Sequence, residues 1–360
     1  MEETDQIDPA RRRGRGAASN RAGRFERHQQ MRVDDGWDMV EDQSVLRTEV
    51  TLEHPRSLIN YVRSPDLPFD RSINPYRGCE HGCIYCFARP SHGFLGLSAG
   101  LDFETRLIAR PNAAEVLDRE LRAKRYEVAP IAIGTNTDPY QPVEREMRIM
   151  RDCLEVLRGF RHPVAVVTKG TLIERDIDIL SDMAAQGLAR VGVSVTTLDA
   201  DLSRRMEPRA PAPARRLETI CRLTEAGVPV RIMASPMVPG LTDAEMEAIL
   251  QAGRDAGAVS ASWIMLRLPL DVAGLWQDWL AEHYPARANR VMGLLRDMHG
   301  GEVYSAQWHR RMRGQGPYAE MMAQRFKVAL RRTGLNDLQP DLRCDLFQPP
   351  ARRGDQLSLF

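Results

Sequence analysis

Short apolar runs alternate with helix-length amphipathic segments from residue 128 to residue 269, and this alternation restricts the possible folds more than any other feature of the chain. The apolar runs are bounded by Gly or Pro and span residues 128–136, 162–170, 189–197, 228–240 and 260–269. The segments between them have helical periodicity and span residues 144–160, 174–188, 214–227 and 243–257. Buried strands separated by single helices are typical of parallel βα units, so the pattern predicts an α/β fold.

A further strand is predicted near SINPYRG, residues 72–78, ahead of this repeat. It brings the count to about six βα units, fewer than the eight that close a TIM barrel. We therefore predict an incomplete TIM-like barrel, with an open doubly wound sheet as the alternative; both bind ligands at the carboxyl ends of their strands. Thr242 and Glu245 have the spacing of a capping box before the last of these helices, and Gly257 predicts its end.

The sequence divides into four predicted regions. They are a basic flexible arm at residues 1–55, the partial barrel at residues 65–300, a C-terminal helical segment at residues 301–345 and a flexible tail at residues 346–360. The arginine-rich arm is either a solubilising tail or a phosphate-contacting arm, and the acids among its first residues favour the tail. The formal net charge of the chain is +1, so no global field marks it as a nucleic-acid binder.

The compartment is predicted from two absences. The first residues, MEETDQIDPARRRGRG, contain no apolar core of the kind found in secretory signals. No stretch approaches the roughly 18 apolar residues of a membrane span, so we expect no membrane association. These features predict a cytoplasmic protein, in which thiols stay reduced and clustered cysteines are metal ligands more often than disulfides.

Three of the six cysteines, Cys79, Cys83 and Cys86, lie together in RGCEHGCIYC, residues 77–86. A structural zinc site needs four protein ligands, and the nearby His81 and His92 are not at a finger-like spacing. Iron–sulfur clusters normally take four thiolates, so three cysteines suit a 4Fe-4S cluster that leaves one iron open to a substrate or cofactor. A zinc site remains the alternative.

The stretch CEHGCIYC resembles the C-x3-C-x-aromatic-C signature of the radical SAM superfamily, with Tyr85 at the aromatic position. The resemblance covers residues 70–300 and implies that the three cysteines hold a 4Fe-4S cluster. It also implies that S-adenosylmethionine (SAM) binds the open iron and is cleaved reductively to a 5′-deoxyadenosyl radical, which abstracts hydrogen from a substrate. A flavodoxin- or ferredoxin-type reductant is then the expected electron donor.

Polar residues follow the predicted strands and are candidates for the cofactor pocket. Thr137 and Asp138 end one strand and are suited to accept hydrogen bonds from ribose hydroxyls or from the amino group of bound SAM. Lys169 ends the next strand and is suited to bind the carboxylate of SAM, and Ser194 ends a third. The alternative is that Asp138 caps the following helix and Lys169 is a surface charge.

The stretches TDPYQPVE, TKG and DFETRLIARPNA resemble the spore photoproduct lyase-like group, which is related to DNA repair. This resemblance implies that Thr137, Asp138, Lys169 and Ser194 bind the cofactor. The lyase carries its hydrogen-donor cysteine just before the hydroxyl–Asp pair, whereas this chain has Thr135 and Asn136 there. We therefore expect a different substrate, with DNA as the candidate.

The final residues, QLSLF from Gln356 to Phe360, resemble the pentapeptide by which bacterial repair and replication proteins bind the sliding clamp. A terminal peptide of this kind can insert its apolar side chains into a pocket of a partner. Two other functions stay open. One is a cluster-containing, DNA-associated adaptor that does not cleave SAM, and the other is a radical SAM enzyme that modifies RNA or protein.

Overall fold

The computed structural model describes residues 7–21, 25, 45–336 and 341–351. Their strands are β1 (Glu49–Leu52), β2 (Asn60–Tyr61), β3 (Arg71–Ile73), β4 (Tyr76–Arg77), β5 (Arg106–Ala109), β6 (Ile131–Ile133), β7 (Val164–Thr168), β8 (Ala189–Ser194), β9 (Val230–Met237) and β10 (Ser260–Met265). The helices are α1 (Asp102–Thr105), α2 (Ala113–Leu121), α3 (Glu144–Met147), α4 (Ile149–Gly159), α5 (Ile177–Ala185), α6 (Ala200–Met206), α7 (Pro213–Glu225), α8 (Met246–Asp255), α9 (Asp271–His283), α10 (Pro285–Met298) and α11 (Pro317–Thr333). Among the described residues, no helix has both the length and the apolar character needed to cross a membrane.

The main sheet has seven strands in the order β10-β9-β8-β7-β6-β3-β2. Strands β3 and β6 to β10 are parallel, and the short β2 joins the edge in the antiparallel sense. Because the parallel strands follow one another in chain order, every crossover runs in the same direction, as in a barrel. A doubly wound sheet would reverse its order at a switch point. The prediction of an incomplete barrel with six parallel strands is confirmed, and the sheet does not close.

The core lies between the sheet and the helices that cover its outer face. Strand residues such as Ile131, Val166 and Ile232 are fully or almost fully buried. Helices α2, α4, α5, α7 and α8 pack on one another and on the strands. Their buried residues recur at helical spacing, for example Ile149, Cys153 and Leu157 on α4.

Two details of the predicted helices differ from the structure. The 144–160 helix is broken into α3 and α4 because Arg148 adopts a left-handed conformation with φ of 55°. The prediction of a capping box formed by Thr242 and Glu245 is wrong, because the Thr242 side chain makes no capping hydrogen bond. The Thr242 hydroxyl accepts from the Val238 N–H at 2.9 Å, while the Glu245 carboxylate bonds the hydroxyl of Thr197 at 2.6 Å.

The C-terminal region covers the open edge of the sheet beside β10. The Ala261 N–H donates to the Asn336 carbonyl at 2.8 Å, and the Met265 N–H donates to the Met312 carbonyl at 2.8 Å. An edge strand that is paired in this way offers few free backbone groups to other chains. Of the predicted helical segment at residues 301–345, only α11 is helical in the described residues.

Residues 7–21, which the sequence assigned to a flexible arm, pack against the barrel. Ala17 and Ser19 are buried, and the Gly16 and Ala17 N–H groups donate to the Glu104 carboxylate at 2.8 and 2.9 Å. A Cβ atom on Gly16 would stand 1.9 Å from the Gly82 carbonyl oxygen, so only glycine fits this contact. Residues 7–21 therefore lie directly on the loop of residues 79–86, which carries the three clustered cysteines. Residues 356–360, the predicted clamp-binding peptide, lie outside the described residues.

Candidate cofactor site at the carboxyl end of the barrel

The cysteine loop, residues 79–86, follows β4 and is fixed by backbone hydrogen bonds. The Cys79 N–H donates to the Phe103 carbonyl at 2.9 Å, and the Ile84 N–H donates to the Met206 carbonyl at 3.0 Å. Gly82 has φ of +66°, and a side chain there would meet the Glu104 carboxylate at 2.7 Å. The loop is thus held from α1 on one side and from the end of α6 on the other.

The three thiols of this loop are free, and Cys79 is buried while Cys83 and Cys86 are half-buried. Burial raises the pKa of all three, and the Asp138 carboxylate raises that of Cys79 further. The cations Lys169 and Arg216 act in the opposite sense on the pKa of Cys83. Three thiols that are close enough to influence one another, beside cationic groups, form a donor set suited to an anionic iron–sulfur cluster.

Within the ranges that the structure describes, no three His, Cys, Asp or Glu side chains are arranged to hold a single metal ion. A structural zinc site needs four ligands around one ion, and the loop does not offer them. In a 4Fe-4S cluster each thiolate would bind a different iron, so the sulfur ligands of a cluster stand farther apart than those of a single zinc ion. The donor set fits a cluster of this kind better than it fits zinc.

Asp138 joins the cysteine loop to the ends of two strands. Its carboxylate accepts from the Thr168 hydroxyl at 2.6 Å and from the Lys169 N–H at 2.7 Å, and it lies 3.3 Å from His81 Nδ1. Burial would raise the pKa of this carboxyl, but His81 and the hydrogen bonds lower it to about 2. Asp138 does not cap a helix, since the helix that follows is preceded by Val143.

Lys169 points into the barrel end and is not a surface charge, because only 14% of its side chain is exposed. Its ammonium nitrogen lies 3.8 Å from Glu207 Oε1 and 5.9 Å from the centre of the Tyr85 ring. The other two predicted residues are buried nearby. Thr137 donates its hydroxyl to the Tyr76 carbonyl at 3.0 Å, and the Ser194 carbonyl accepts from Arg216 at 3.1 Å.

Glu207 is a central residue of the site that the sequence did not reveal. It is almost fully buried, and it accepts from the Tyr85 hydroxyl, from Arg216 and, at 2.9 Å, from the Thr196 hydroxyl. Burial would raise the pKa of Glu207, but Arg216 and Lys169 lower it to about 2. The carboxylate therefore stays ionised and fixes the Tyr85 side chain next to the cysteines.

A signal for this group exists in the sequence of α7. Arg216 lies three and four residues before Thr219 and Ile220, on the stripe that α7 buries. An arginine on a buried stripe needs an acidic partner. That partner, Glu207, stands in RRMEPR, where it looks like one more surface charge.

Comparisons with known proteins assign the chain to a family. Residues 73–252, which are half of the chain, match the radical SAM superfamily. This protein belongs to the radical SAM superfamily. An uncharacterised protein of Mycobacterium tuberculosis (strain H37Rv) is 36% identical over 244 residues, 67% of this chain and 72% of that protein. An uncharacterised protein of Methanocaldococcus jannaschii is 24% identical over 174 residues, 48% of this chain and 62% of that protein.

Among solved structures, spore photoproduct lyase in complex with dinucleoside spore photoproduct superimposes with a TM-score of 0.56. It is 12% identical, and the match covers 79% of each chain. A mutant of the same lyase with bound AdoMet matches equally well, with a TM-score of 0.56. At this identity the likeness shows the fold, and the predicted resemblance to the lyase-like group is confirmed at that level.

As a radical SAM enzyme, the protein uses a 4Fe-4S cluster and SAM as cofactors. Beyond the cysteine loop, the described cysteines stand away from the strand ends. Cys153 is buried in α4, Cys221 bonds Glu225 on α7, and Cys344 is half-buried near the C-terminus. Thr135 and Asn136 follow β6, where the lyase pattern would have its cysteine.

Proposed function

We propose that Cys79, Cys83 and Cys86 hold the 4Fe-4S cluster and that this enzyme cleaves SAM to abstract hydrogen from a substrate. The observation that carries the proposal is the position of three neighbouring thiols beside the half-buried Lys169 at the carboxyl end of the barrel. Ligands bind at this end in barrels of this type. When bound, the cluster supplies the electron that breaks the sulfonium, and the protein orients SAM and excludes water.

Lys169 is the proposed partner of the SAM carboxylate. Its nearest acidic oxygen, on Glu207, is 3.8 Å away, which is too long for a hydrogen bond. The three N–H donors of the ammonium group are therefore available to a ligand carboxylate, with which a charge-assisted bond is strong. Glu207 lies beside Lys169 and accepts a hydrogen bond from Tyr85, which holds that side chain against the site.

Thr137, Asp138 and Ser194 are proposed to complete the cofactor pocket with different tasks. The oxygens of Asp138 are already bonded to Thr168 and Lys169, so this residue positions the loop and the strand ends. Thr137 donates its hydroxyl proton to Tyr76 and keeps its oxygen lone pairs for the amino group or ribose of SAM. Ser194 offers a buried hydroxyl at the end of β8.

The substrate is proposed to be DNA. The structural likeness to spore photoproduct lyase supports this choice, since that protein was solved with a dinucleoside photoproduct. Thr135 and Asn136 replace the cysteine of the lyase, so the reaction would return hydrogen by another route. A flavodoxin- or ferredoxin-type protein is the proposed reductant, and the reducing cytoplasm is the proposed location.

The test is SAM cleavage by the full-length protein, reconstituted with iron and sulfide in the absence of oxygen. With dithionite and SAM, we expect 5′-deoxyadenosine and methionine, detected by chromatography and mass spectrometry. Parallel reactions with ultraviolet-damaged and undamaged DNA test the substrate. A protein that binds iron and sulfide but releases no 5′-deoxyadenosine would contradict the proposal and favour the adaptor function.

A second proposed partner is the sliding clamp, through residues Gln356 to Phe360. The motivation is the QLSLF sequence behind the tether PPARRGD. We expect purified clamp to retain the full-length chain and to lose it when residues 356–360 are deleted. Replacement of Arg352 and Arg353 by Ala, which leaves the peptide intact, is the control. Equal recovery of the intact and the shortened chain would contradict this partner.

A further inference from the structure

A basic cleft lies where the N-terminal segment meets the end of α6. Its volume is ≈ 240 Å³, and it opens to solvent beside the cysteine loop. The lining combines two glycines and a proline, Gly14, Gly16 and Pro208, with five basic side chains. These basic residues, which form the arginine cleft, are Arg12, Arg15, Arg204, Arg205 and His283.

No acidic side chain lines the arginine cleft among the described residues, although the carboxylates of Glu104 and Glu80 lie close enough to Arg15 to act on its charge. Arg15 donates to the main-chain carbonyls of Glu104 and Leu46 and to the Thr48 hydroxyl, all of them uncharged acceptors. Among the described residues, Arg12 is the arginine of the cleft that forms a direct ion pair, with Glu282 at 3.0 Å. The cleft therefore presents an excess of guanidinium charge to solvent.

Arg204 and Arg205 stand exposed in the last turn of α6, at the rim of the cleft. The guanidinium of Arg205 lies over the Tyr284 ring at 5.7 Å, which orients it without removing its hydrogen-bond donors. A planar guanidinium fork matches the oxygens of a phosphate group in a bidentate manner. The ligand that this chemistry selects is an oxyanion, and a phosphate is one that offers several oxygens to the two arginines.

We propose that the arginine cleft binds the phosphate backbone of a nucleic acid. Apart from His283, the described lining contains no aromatic ring, side-chain amide or hydroxyl, and its arginines offer the donors that most phosphate contacts use, so the cleft suits contacts to the backbone. The exposed Arg13 extends the positive charge beyond the cleft, which suits a ligand with several phosphates. This inference rests on the proposed function in one respect: it takes the nucleic acid bound in the cleft to be the substrate of the enzyme.

The position of the cleft connects it with the cofactor site. Gly16 touches the Gly82 carbonyl, and the Pro208 ring lies 3.3 Å from where a Cβ of Gly82 would be. Both lining residues thus contact the loop between Cys79 and Cys83. Pro208 also directly follows Glu207 in the chain. A backbone held in the cleft would lie beside the loop that carries the proposed cluster ligands.

The test compares Arg204→Gln/Arg205→Gln with the parent protein, both full length and reconstituted. Fluorescence anisotropy with a labelled single-stranded DNA oligonucleotide gives the affinity as a function of salt. Each phosphate contact to a single strand contributes about 0.7 to the slope of log K against log salt. Loss of two contacts should reduce the slope by about 1.4 and weaken binding about 25-fold at 0.1 M salt.

Arg331→Gln/Arg332→Gln is the matched control, because these exposed adjacent arginines also end a helix, α11, and their loss changes the net charge equally. Equal weakening in both double variants, or none in the cleft variant, would overturn the proposal. Competition by inorganic phosphate or a mononucleotide as strong as that by the oligonucleotide would also overturn it, since the site would then hold a small anion.

The same preparations separate this proposal from the proposed function. SAM cleavage without substrate should be equal in the parent protein and in the cleft variant. If neither protein cleaves SAM but the variant binds DNA about 25-fold more weakly, the cleft stands and the radical chemistry fails. If both cleave SAM and bind DNA equally, the radical chemistry stands and the cleft fails.

Discussion

Cys83→Ala is expected to abolish SAM cleavage. The cysteine loop offers three thiols where clusters normally use four, so the loss of one leaves two of the proposed ligands for the cubane. Loss of an outer-shell partner alone costs 10–100-fold at metal sites, so removal of a direct ligand should reduce 5′-deoxyadenosine formation by more than about 100-fold. Iron and acid-labile sulfide in the reconstituted protein should fall with it.

Cys221→Ala is the matched control for this variant. Cys221 is a half-buried thiol on α7 that bonds Glu225 at 3.3 Å, outside the cofactor site. Its replacement should leave the iron content, the absorption of the cluster and the rate of SAM cleavage unchanged. A Cys83→Ala protein that matches Cys221→Ala in iron and in 5′-deoxyadenosine would show that the loop does not hold the cluster.

The barrel could be predicted from the sequence because each of its units carries a local signal. The runs at 162–170 and 189–197 are short, apolar and bounded by glycine or by turns, and they contain β7 and β8. Strand order could not be read from such signals, since a doubly wound sheet has the same local pattern. Only the observed order, in which neighbours in the chain are neighbours in the sheet, separates the two folds.

The packing of residues 7–21 is a feature that composition could not predict. The arginines and glycines of this segment are typical of unstructured chain. Yet Glu104, which is fully buried, binds Arg89 at 2.5 Å and also needs donors from the Gly16 and Ala17 backbone. The order of the segment therefore depends on an acid some 88 residues away in the chain. No local pattern contains that information.

The candidate site was predictable at the strand ends and not beyond them. Lys169 directly follows β7 and Asp138 lies in the loop after β6, so their place at the barrel end followed from the fold. Glu207 directly follows α6 and Arg216 lies on α7; the buried stripe of α7 marks Arg216, but nothing in the sequence singles out Glu207 as its partner. Their pairing depends on how α6 and α7 pack, which tertiary structure decides.

Glu207→Gln is expected to destabilise the protein strongly. Glu207 and Arg216 are a buried ion pair, with 0% and 1% of their side chains exposed. Removal of one partner of a buried pair leaves an uncompensated charge and costs about 3–5 kcal/mol. Urea unfolding of the cluster-free protein at pH 7, followed by circular dichroism, should show a decrease of this size in the free energy of unfolding.

Glu174→Gln is the control, because this glutamate also pairs with two arginines but near the surface. Its partners Arg222 and Arg215 have 53% and 41% of their side chains exposed, so the loss should be about 0–1 kcal/mol. Equal and small losses in Glu174→Gln and Glu207→Gln would contradict the importance of the buried pair.

The pH dependence gives a second measurement of the same pair. The pKa of Glu207 falls from an ordinary value of 4.5 to about 2 in the folded protein, because Arg216 and Lys169 outweigh the effect of burial. A depressed pKa contributes stability that is fully present above pH 4.5 and is lost as the pH falls toward 2. The stability difference between the parent protein and Glu207→Gln should therefore be constant from pH 7 to pH 5. It should shrink below pH 4.5, because the unfolded chain then takes up a proton at Glu207 whereas the folded protein does so only near pH 2; a difference that stays constant down to pH 3 would contradict the ionised pair.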